Sequence, residues 1–362
     1  MFQSAVRTIS TINLNIRIVN NSDAGRWDEY VEKHPMALPY HLFAWKKAVE
    51  NVYRHRAYYL LAEENNHVVG VLPLIYMKPP FISGQLISLP FCDVGDVLAG
   101  DEKTRENLLS EAIILARESK SRRVELRGQD QQSSYQFINL PVRVQSHKVR
   151  MFLELPDSSE ILWDRFKSKH RSQIRKAEKN GLVFKWGSIE DLDDFYYVFS
   201  MNMRDLGSPV HSKAWFAAVF KYFGESARMG LVYHENYLTG VGIILSVNRK
   251  ISIPWASTLK EFNRFAPNML LYWNFLKYAA DNGYSHFDFG RSTTDEGTYK
   301  FKAQWGARPV PLHWHHIMLN GEKLHSDTSS SSARDRIAKF WQKLPLPLAN
   351  RIGPSIRRHI SL

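Results

Sequence analysis

The sequence has little cysteine and no long apolar run. Cys92 is the single cysteine among 362 residues, so an internal disulfide is excluded and a reducing compartment is expected. The residues around Cys92 read FCDVGDV and include no base that would activate a thiol, which favours a packing role over a nucleophile. No window approaches the roughly eighteen apolar residues of a membrane-spanning helix, and residues 1–21 lack the apolar core of a signal peptide. These absences predict a cytoplasmic protein.

What the chain does have is a large apolar fraction and an excess of positive charge. With 44% hydrophobic residues over this length, the chain is expected to form two domains, since single cores seldom grow beyond about 250–300 residues. The net charge is +12, and most of it lies in residues 163–185 and 321–362. Localised basic surfaces indicate polyanionic partners such as nucleotide phosphates, tRNA or anionic lipid. The alternative is a solvated basic face that keeps the protein soluble.

The stretch FDFGRSTTDEGTYKFKAQWG, at 287–306, concentrates the candidate chemistry. Alternation of Phe287, Asp288 and Phe289 predicts a strand with both rings on one face and the carboxylate on the other. Gly290 ends that strand, and a polar loop leads into a short helix that Gly306 closes. Cations therefore gather at a strand–loop–helix corner, a pattern that suits a bound phosphate or carboxylate. The alternative is a core strand followed by a solvated turn.

Several motifs together resemble one family. FDFGRS, GTYKFKAQWG and PVPLHW resemble the closing segment of FemAB-type acyltransferases, in particular those found with exopolysaccharide and PEP-CTERM/exosortase loci. RSQIRKAEKNGL (171–182), MRDLGSPV (203–210) and PNMLLYW (267–273) resemble the same family in the expected order. Its broader relatives are the BioF2-like acetyltransferase domains of the GNAT superfamily. The resemblance spans roughly residues 40–320 and implies an α/β fold of two tandem GNAT-like units, each a mixed sheet flanked by helices, with a cleft between them.

An internal repeat is consistent with two units. LLAEENNHVVGVLPL and LVYHENYLTGVGIIL each read as a strand, a Glu-Asn turn and a second apolar strand, about 170 residues apart, which favours a duplication. We therefore predict a first domain over 1–148 and a second over 149–320, in which PVPLHWHHIML completes the sheet. Residues 321–362 are predicted to be a Ser-rich linker and a basic amphipathic tail.

The basic helix predicted within 163–185 supplies the first site candidates. Lys167, Arg171 and Arg175 recur at four-residue spacing and share one stripe, while Phe166, His170, Ile174 and Ala177 are predicted to face the core. Like charges so close together repel one another, and a bound polyphosphate would relieve that repulsion. The resemblance implies that this helix belongs to the substrate-binding region. We predict Arg171 and Arg175 as phosphate contacts, with a solvated helix face as the alternative.

Two more motifs carry candidates through the resemblance. Arg204 and Asp205 end a predicted helix in MRDLGSP, and the family's RDLG motif implies that both line the cleft, although such a pair can also be a simple helix cap. FKAQWG implies that Phe301 and Lys302 face the donor. Lys302 would hold a phosphate or stabilise the oxyanion of acyl transfer. Arg291 is expected to bind an anionic part of the substrate.

A general base is needed because acyl transfer to an amine releases a proton. Asp288 is the candidate, although GNAT-like enzymes also use water or the substrate itself. No bound cofactor is expected. The donor stays open between acyl-CoA and aminoacyl-tRNA, because the chain lacks both the Gly-rich pyrophosphate loop of acetyl-CoA enzymes and the long helical hairpin of tRNA-dependent FemAB enzymes. In HWHH, His313 and His315 share a strand face without a nearby acidic or Cys partner, so no metal site is predicted.

The tail has a pattern of its own. Ile337, Phe340, Trp341 and Leu344 are predicted to share one helical face beside several Lys and Arg residues, as in a helix that lies on an anionic membrane. Residues 333–362 would then hold a cytoplasmic protein at the inner membrane face. The alternative is a helix docked on the protein's own body or on a partner.

Together these features predict an enzyme that transfers an acyl or aminoacyl group to an amine or amino sugar in cell-envelope or exopolysaccharide biosynthesis. Its substrate would be an anionic small molecule or a glycan- or lipid-linked precursor. The alternative is a non-catalytic basic module that binds anionic lipid or polysaccharide at the membrane surface. Nucleic-acid binding, other than tRNA as donor, is disfavoured because aromatic residues do not interleave with the basic helix.

Overall fold

The computed structural model describes residues 14–128, 135, 137–319 and 331–362. Its strands are β1 Asn15–Ile18, β2 Arg56–Ala57, β3 Leu60–Glu64, β4 His67–Leu72, β5 Ile75–Met77, β6 Gln85–Ile87, β7 Leu98–Ala99, β8 Arg123–Gly128, β9 Val142–Gln145, β10 Val149–Glu154, β11 Leu182–Gly187, β12 Ala227–His234, β13 Tyr237–Val247, β14 Lys250–Thr258, β15 His286–Ser292, β16 Arg308–Pro311 and β17 His313–Met318. Its α-helices are α1 Ala24–Lys33, α2 Phe43–Tyr53, α3 Glu102–Glu118, α4 Ser159–Arg165, α5 Ser168–Lys179, α6 Leu192–Asp205, α7 Lys213–Phe223, α8 Pro267–Asp281, α9 Gly297–Ala303, α10 Ser331–Gln342 and α11 Leu346–Arg357.

The second unit is built on a seven-stranded sheet of order β11-β12-β13-β14-β15-β10-β16. Its two faces follow from strand alternation, since neighbouring residues of a strand point to opposite sides. Ile243 and Leu245 of β13 join the core beneath α6 and α7, whereas Ile244 between them joins the core beneath α4, α5 and α8. Every junction in the sheet is antiparallel except that between β14 and β15. This single parallel junction positions the candidate site.

The first unit holds two sheets, of order β1-β3-β4-β7 and β2-β5-β6-β8-β17-β9. Helix α3 begins where the Asp101 side chain accepts a hydrogen bond from the Thr104 amide, as a helix cap does. Leu108, Leu109 and Ala112 of α3 are buried against these sheets. The unit therefore has the helix-on-sheet arrangement that the sequence predicts.

The two units interlock. Strand β17 follows the second unit in sequence but pairs with β8 and β9 of the first. The prediction that PVPLHWHHIML completes the second sheet is thus right for Arg308–Pro311, which pairs with β10, and wrong for His313–Met318. Helix α2 packs on α7, and Trp45 lies 5.2 Å from Trp215, ring centre to ring centre. One apolar core consequently spans both units.

The predicted repeat is present in the backbone. β3 with β4 and β12 with β13 form equivalent antiparallel hairpins, and each has an irregularity in register after the residue pair that includes a glycine. Those glycines, Gly70 and Gly240, lie 170 residues apart. A Cβ at Gly70 would lie 2.7 Å from the Thr104 side chain of α3, and one at Gly240 would lie 3.2 Å from Thr258. Both glycines therefore allow a strand to pack closely on its neighbours.

The tail is docked on the body. Trp341, Leu344 and Ala349 of α10 and α11 are buried, and the Asn350 amide donates to the Ser200 hydroxyl of α6 at 3.2 Å. This matches the alternative of a helix packed on the protein itself. The predicted apolar face is nevertheless divided, because Ile337 and Phe340 stay 64% and 65% exposed. The predicted Ser-rich linker falls largely in residues 320–330, outside the described residues. Within the described part of the chain, no helix has the length and apolar character to cross a bilayer.

Candidate active site

The site begins where β14 and β15 part. Residues 250–252 of β14 register with 286–288 of β15, but β14 continues to Thr258 and β15 to Ser292. Gly290, at φ +73°, lies in the parting. A Cβ built on it would be 3.6 Å from the Asp93 carboxylate of the first unit and 3.9 Å from the Ile253 carbonyl. Parted strands leave backbone groups that can pair with a ligand.

Lys302 of α9 points into this corner. Its ammonium donates to the carbonyl oxygens of Gly290 at 3.1 Å and Arg291 at 2.8 Å, and the residue is 8% exposed. Burial lowers the pKa of the Lys302 ammonium from 10.5 to about 8, although the nearby carboxylates of Asp93 and Asp288 oppose that shift. An ammonium has three N–H donors. Among the described residues these two carbonyls are its acceptors, which leaves the third N–H for a ligand.

Asp93 ties the first unit to the corner. Its carboxylate accepts the Arg291 backbone amide at 3.0 Å and pairs with the Arg291 guanidinium at 3.5 Å. Its carbonyl accepts the indole N–H of Trp314. The sequence analysis missed Asp93, since the FCDVGDV stretch was weighed for its cysteine alone. A pair of carboxylates in that stretch was the available signal.

Trp314 lies between cations. The Arg127 guanidinium is 4.4 Å and that of Arg291 5.8 Å from the ring centre, distances at which cations are attracted to an aromatic face. Burial lowers the pKa of the Arg291 guanidinium. The neighbouring Cys92 is buried, and burial raises the pKa of its thiol far above the ordinary range. A thiolate nucleophile at Cys92 is therefore disfavoured.

Asp288 is engaged in a buried ion pair. One of its oxygens lies 2.8 Å from the Arg150 guanidinium of β10 and 3.3 Å from the Ser252 hydroxyl. The other accepts the Gly290 amide at 2.8 Å. These contacts fix the backbone whose carbonyls hold Lys302.

The predicted phosphate contacts lie on another surface. His170, Ile174 and Ala177 bury one face of α5, as predicted. Arg171 reaches Asp164 at 3.7 Å, and the Arg175 guanidinium lies 5.3 Å from the Trp163 ring. Both arginines therefore sit on the outer side of the helix.

Phe301 packs against α8, and Arg204 and Asp205 lie at the end of α6. The Phe301 ring packs 5.1 Å from Tyr272 of α8, ring centre to ring centre. Arg204 and Asp205 pair with each other at 2.8 Å. The Asp205 carbonyl accepts from the Gln342 amide of α10. The pair thus lies at the junction of α6 with the docked tail.

The structure therefore brings Asp288, Arg291 and Lys302 together and adds Asp93. It leaves Arg171 and Arg175 on the outer face of α5, and no hydrogen bond or ion pair within the described residues links them to Lys302. The two surfaces are joined through packing, because Trp305, three residues after Lys302, lies 4.2 Å from His170, ring centre to ring centre.

The histidines of β17 are buried. His313 and His315 lie within the strand, and His316 approaches Glu125 at 3.7 Å. The described residues contain no group of three or more His, Cys, Asp or Glu side chains placed to hold a metal ion.

Comparison with known proteins gives these features a context. Residues 164–303 match the acetyltransferase (GNAT) domain family. This range contains the parted strands, Arg291 and Lys302. No curated protein sequence matches the chain.

Solved structures match nearly the whole chain. The crystal structure of FemX has a TM-score of 0.70 at 15% identity and covers 84% of this chain and 98% of its own. The C-terminal domain of a putative lysylphosphatidylglycerol synthetase from Agrobacterium fabrum has a TM-score of 0.57 at 11% identity, covering 88% and 97%. A tandem GNAT protein from the clavulanic acid biosynthesis pathway has a TM-score of 0.50 at 13% identity, covering 86% and 100%. At these identities the likeness concerns the fold.

The predicted tandem fold and the predicted family are confirmed at this level, and the PEP-CTERM/exosortase subgroup stays a prediction. The acetyltransferase (GNAT) domain at residues 164–303 supports an acyltransferase, and the chain shares its two-unit fold with FemX and with the tandem GNAT protein.

Proposed function

We propose that the chain transfers an acyl or aminoacyl group to the amine of a cell-envelope or exopolysaccharide precursor, and that Lys302 stabilises the oxyanion of that reaction. One observation carries the proposal. Lys302 is a buried ammonium, held by two carbonyls at the parting of β14 and β15, with an N–H left over. A fixed donor in a partly water-free site stabilises developing negative charge far better than one in water.

The proposed reaction forms one bond and breaks another. The acceptor nitrogen attacks the acyl carbon, and the electron pair of the carbonyl moves to its oxygen, where the third N–H of Lys302 donates. The oxyanion then collapses, the bond from the acyl carbon to the donor's oxygen or sulfur breaks, and the leaving atom takes a proton. A group whose pKa is about 8 exchanges protons readily near neutral pH, so Lys302 also suits this last step.

A base must take the proton of the attacking amine. Asp288 is the candidate from the sequence, but it is held in a buried ion pair with Arg150, and its side chain is only 5% exposed. Asp93 lies at the same corner with a side chain that is 21% exposed. We therefore propose that Asp93 receives the amine proton, directly or through one water, and that Asp288 holds the β15 backbone in place.

The acceptor is proposed to be anionic and linked to a glycan or a lipid. Arg291 and Lys148 line one small cavity beside Trp314, so an anionic group there would meet two cations and an aromatic face. The fold also occurs in the domain of a putative lysylphosphatidylglycerol synthetase, a protein named for a lipid product. Arg204 and Asp205, at the C-terminal end of α6, are proposed as further contacts of a larger acceptor.

The test is product formation. The full chain is incubated with acyl-CoAs or charged tRNAs as donors and with amino sugars, nucleotide sugars and lipid-linked glycans as acceptors, and products are identified by mass spectrometry. We expect an N-acylated product that Lys302→Ala abolishes. Lys277→Ala, which removes an exposed lysine of α8, serves as the matched control. Equal product from Lys302→Ala and the control would overturn the proposal.

A second candidate function rests on the outer face of the tail. Ile337 and Phe340 protrude beside the exposed Lys339 and Lys343, a combination that binds anionic bilayers. We propose that this face holds the protein at the inner membrane surface, either alongside catalysis or, in the non-catalytic alternative, as its main role.

That proposal is tested by co-sedimentation with vesicles of phosphatidylglycerol and phosphatidylcholine. Ile337→Ser combined with Phe340→Ser should release the protein from the vesicles, and Ile161→Ser, at an exposed position on α4, should not. Unchanged sedimentation of the double variant would contradict a membrane role. Vesicle binding without any product in the transfer assay would favour the non-catalytic alternative.

A further inference from the structure

A cavity lies beside the candidate active site. It has a volume of about 410 Å³ and is bounded by α4, β10, β16 and the residues that follow α9. Ala303, in its lining, directly follows Lys302. Pockets of roughly 300–1,000 Å³ are typical of small-molecule sites, so the cavity has room for a ligand of the size of a nucleotide.

Its rim is positively charged. Arg165, Lys167 and Arg308 line the cavity, and all three are exposed. Among the described residues no carboxylate forms an ion pair with any of them. Glu154 is the single acidic residue of the lining, so the rim keeps a net positive charge. Cations that have no ion-pair partner attract an anion and can form charge-assisted hydrogen bonds with it.

A helix terminus adds to this charge. Helix α5 is twelve residues long and starts at Ser168, next to Lys167 of the cavity lining. Lys167 occupies the N-cap position but provides no side-chain cap. The first amides of a helix have no acceptor within the helix, and the helix dipole makes this end positive. The N-terminus of α5 is thus suited to binding a phosphate.

The wall of the cavity is aromatic. Phe152, Phe166 and Trp305 contribute to its lining. The indole N–H of Trp305 finds no acceptor within the described residues, although the residue is only 1% exposed. A cationic rim and an aromatic wall together match a nucleotide, whose phosphate is anionic and whose base has a flat apolar face.

The N-termini of α8 and α3 are less suited to a phosphate than that of α5. Helix α8 follows β14, but it begins with the buried Pro267 after a short 3-10 helix at Lys260–Phe265. Proline has no amide hydrogen to offer. In the first unit, the Asp101 carboxylate already caps α3.

We propose that the cavity at the start of α5 binds the nucleotide phosphate of the acyl donor. This inference rests on the proposed function and names a place for the donor. Acyl-CoA and aminoacyl-tRNA both carry an adenosine nucleotide with phosphate, so either source presents the chemistry that the cavity recognises. The donor extends from there along α9 to Lys302, and a seven-residue helix is only about 10 Å long.

The experiment measures binding to the full chain by titration calorimetry with two probes. Adenosine 3′,5′-bisphosphate represents coenzyme A, and the trinucleotide CCA with a 5′-phosphate represents the end of tRNA. We expect one of them to bind, with an affinity that falls as salt rises, and the tighter probe identifies the source. Lys167→Gln combined with Arg308→Gln should weaken that binding at least tenfold, since two charge-assisted contacts are lost.

The control removes the same charge elsewhere on α5. Lys176→Gln combined with Lys179→Gln changes two exposed residues near the far end of the helix and should alter the dissociation constant less than threefold. Equal weakening by both double variants, or no binding of either probe, would overturn the inference. If Lys302→Ala abolishes transfer while Lys167→Gln with Arg308→Gln binds normally, this donor site is wrong and the proposed function stands.

Discussion

The unusual state of Lys302 can be tested without knowing the substrate. Replacement by methionine gives an unbranched side chain that is one atom shorter and carries no charge. Because the native ammonium is buried, its pKa falls from 10.5 to about 8. Between these two values the unfolded chain keeps a proton that the folded chain has lost. Folding stability contributed by this group is therefore present above pH 10.5 and is lost as pH falls through about 8.

The magnitude follows from the shift. A difference of about 2.5 pKa units corresponds to about 3 kcal/mol in the free energy of unfolding. The two carbonyls that Lys302 leaves unpaired in Lys302→Met cost a similar amount at every pH, so they offset the two curves without changing their slopes. The difference in stability between wild type and Lys302→Met should thus shift in favour of wild type by about 3 kcal/mol from pH 7 to pH 10.5.

Guanidinium unfolding at several pH values between 7 and 10.5 measures this difference, because other titrating groups are common to both proteins and cancel. Lys277→Met, at an exposed site, should run parallel to wild type across the whole range. If the curves of wild type and Lys302→Met also run parallel, burial does not lower the pKa of Lys302 in the folded chain.

Three further predictions concern the framework. Arg150→Met leaves Asp288 charged and unpaired in the interior and should lower the free energy of unfolding by about 3–5 kcal/mol, measured by denaturant unfolding; a loss below about 1 kcal/mol would contradict a buried pair. Trp341→Ala removes a buried anchor of the tail, so limited proteolysis should cut within 331–362 while the body survives, and an uncut tail would show that other contacts suffice. Gly70→Ala, with its Cβ 2.7 Å from Thr104, should destabilise more than Gly240→Ala, with 3.2 Å to Thr258, by about 1–2 kcal/mol in thermal unfolding; the reverse order would place the close approach elsewhere.

Local patterns predicted much of this fold. The two hairpins that repeat 170 residues apart and the buried face of α5 could be predicted because each depends on the spacing of apolar residues within a short stretch of sequence. The corner that follows β15 was also found from sequence, because alternating Phe and Asp followed by glycine and cations is a local signal. The predicted end of the strand at Gly290 was wrong, since β15 runs on to Ser292.

Long-range pairings were beyond that reasoning. Asp93 meets Arg291 across 198 positions of sequence, and nothing in either local pattern connects them. The placement of β17 in the first sheet is of the same kind. The tail shows a third limit, because an amphipathic helix has the same pattern whether its apolar face meets lipid or the protein's own body. The structure assigns Trp341 to the body and leaves Phe340 to solvent.

The most direct measurement is the single-turnover rate of acyl transfer, with the donor and acceptor that the product screen identifies, for wild type, Lys302→Met and Lys277→Met. Loss of a fixed oxyanion donor typically lowers the rate by about 10²–10³-fold. We predict a loss of that size for Lys302→Met with donor binding retained, and an unchanged rate for Lys277→Met. A Lys302→Met enzyme that transfers the acyl group as fast as wild type would contradict the central claim.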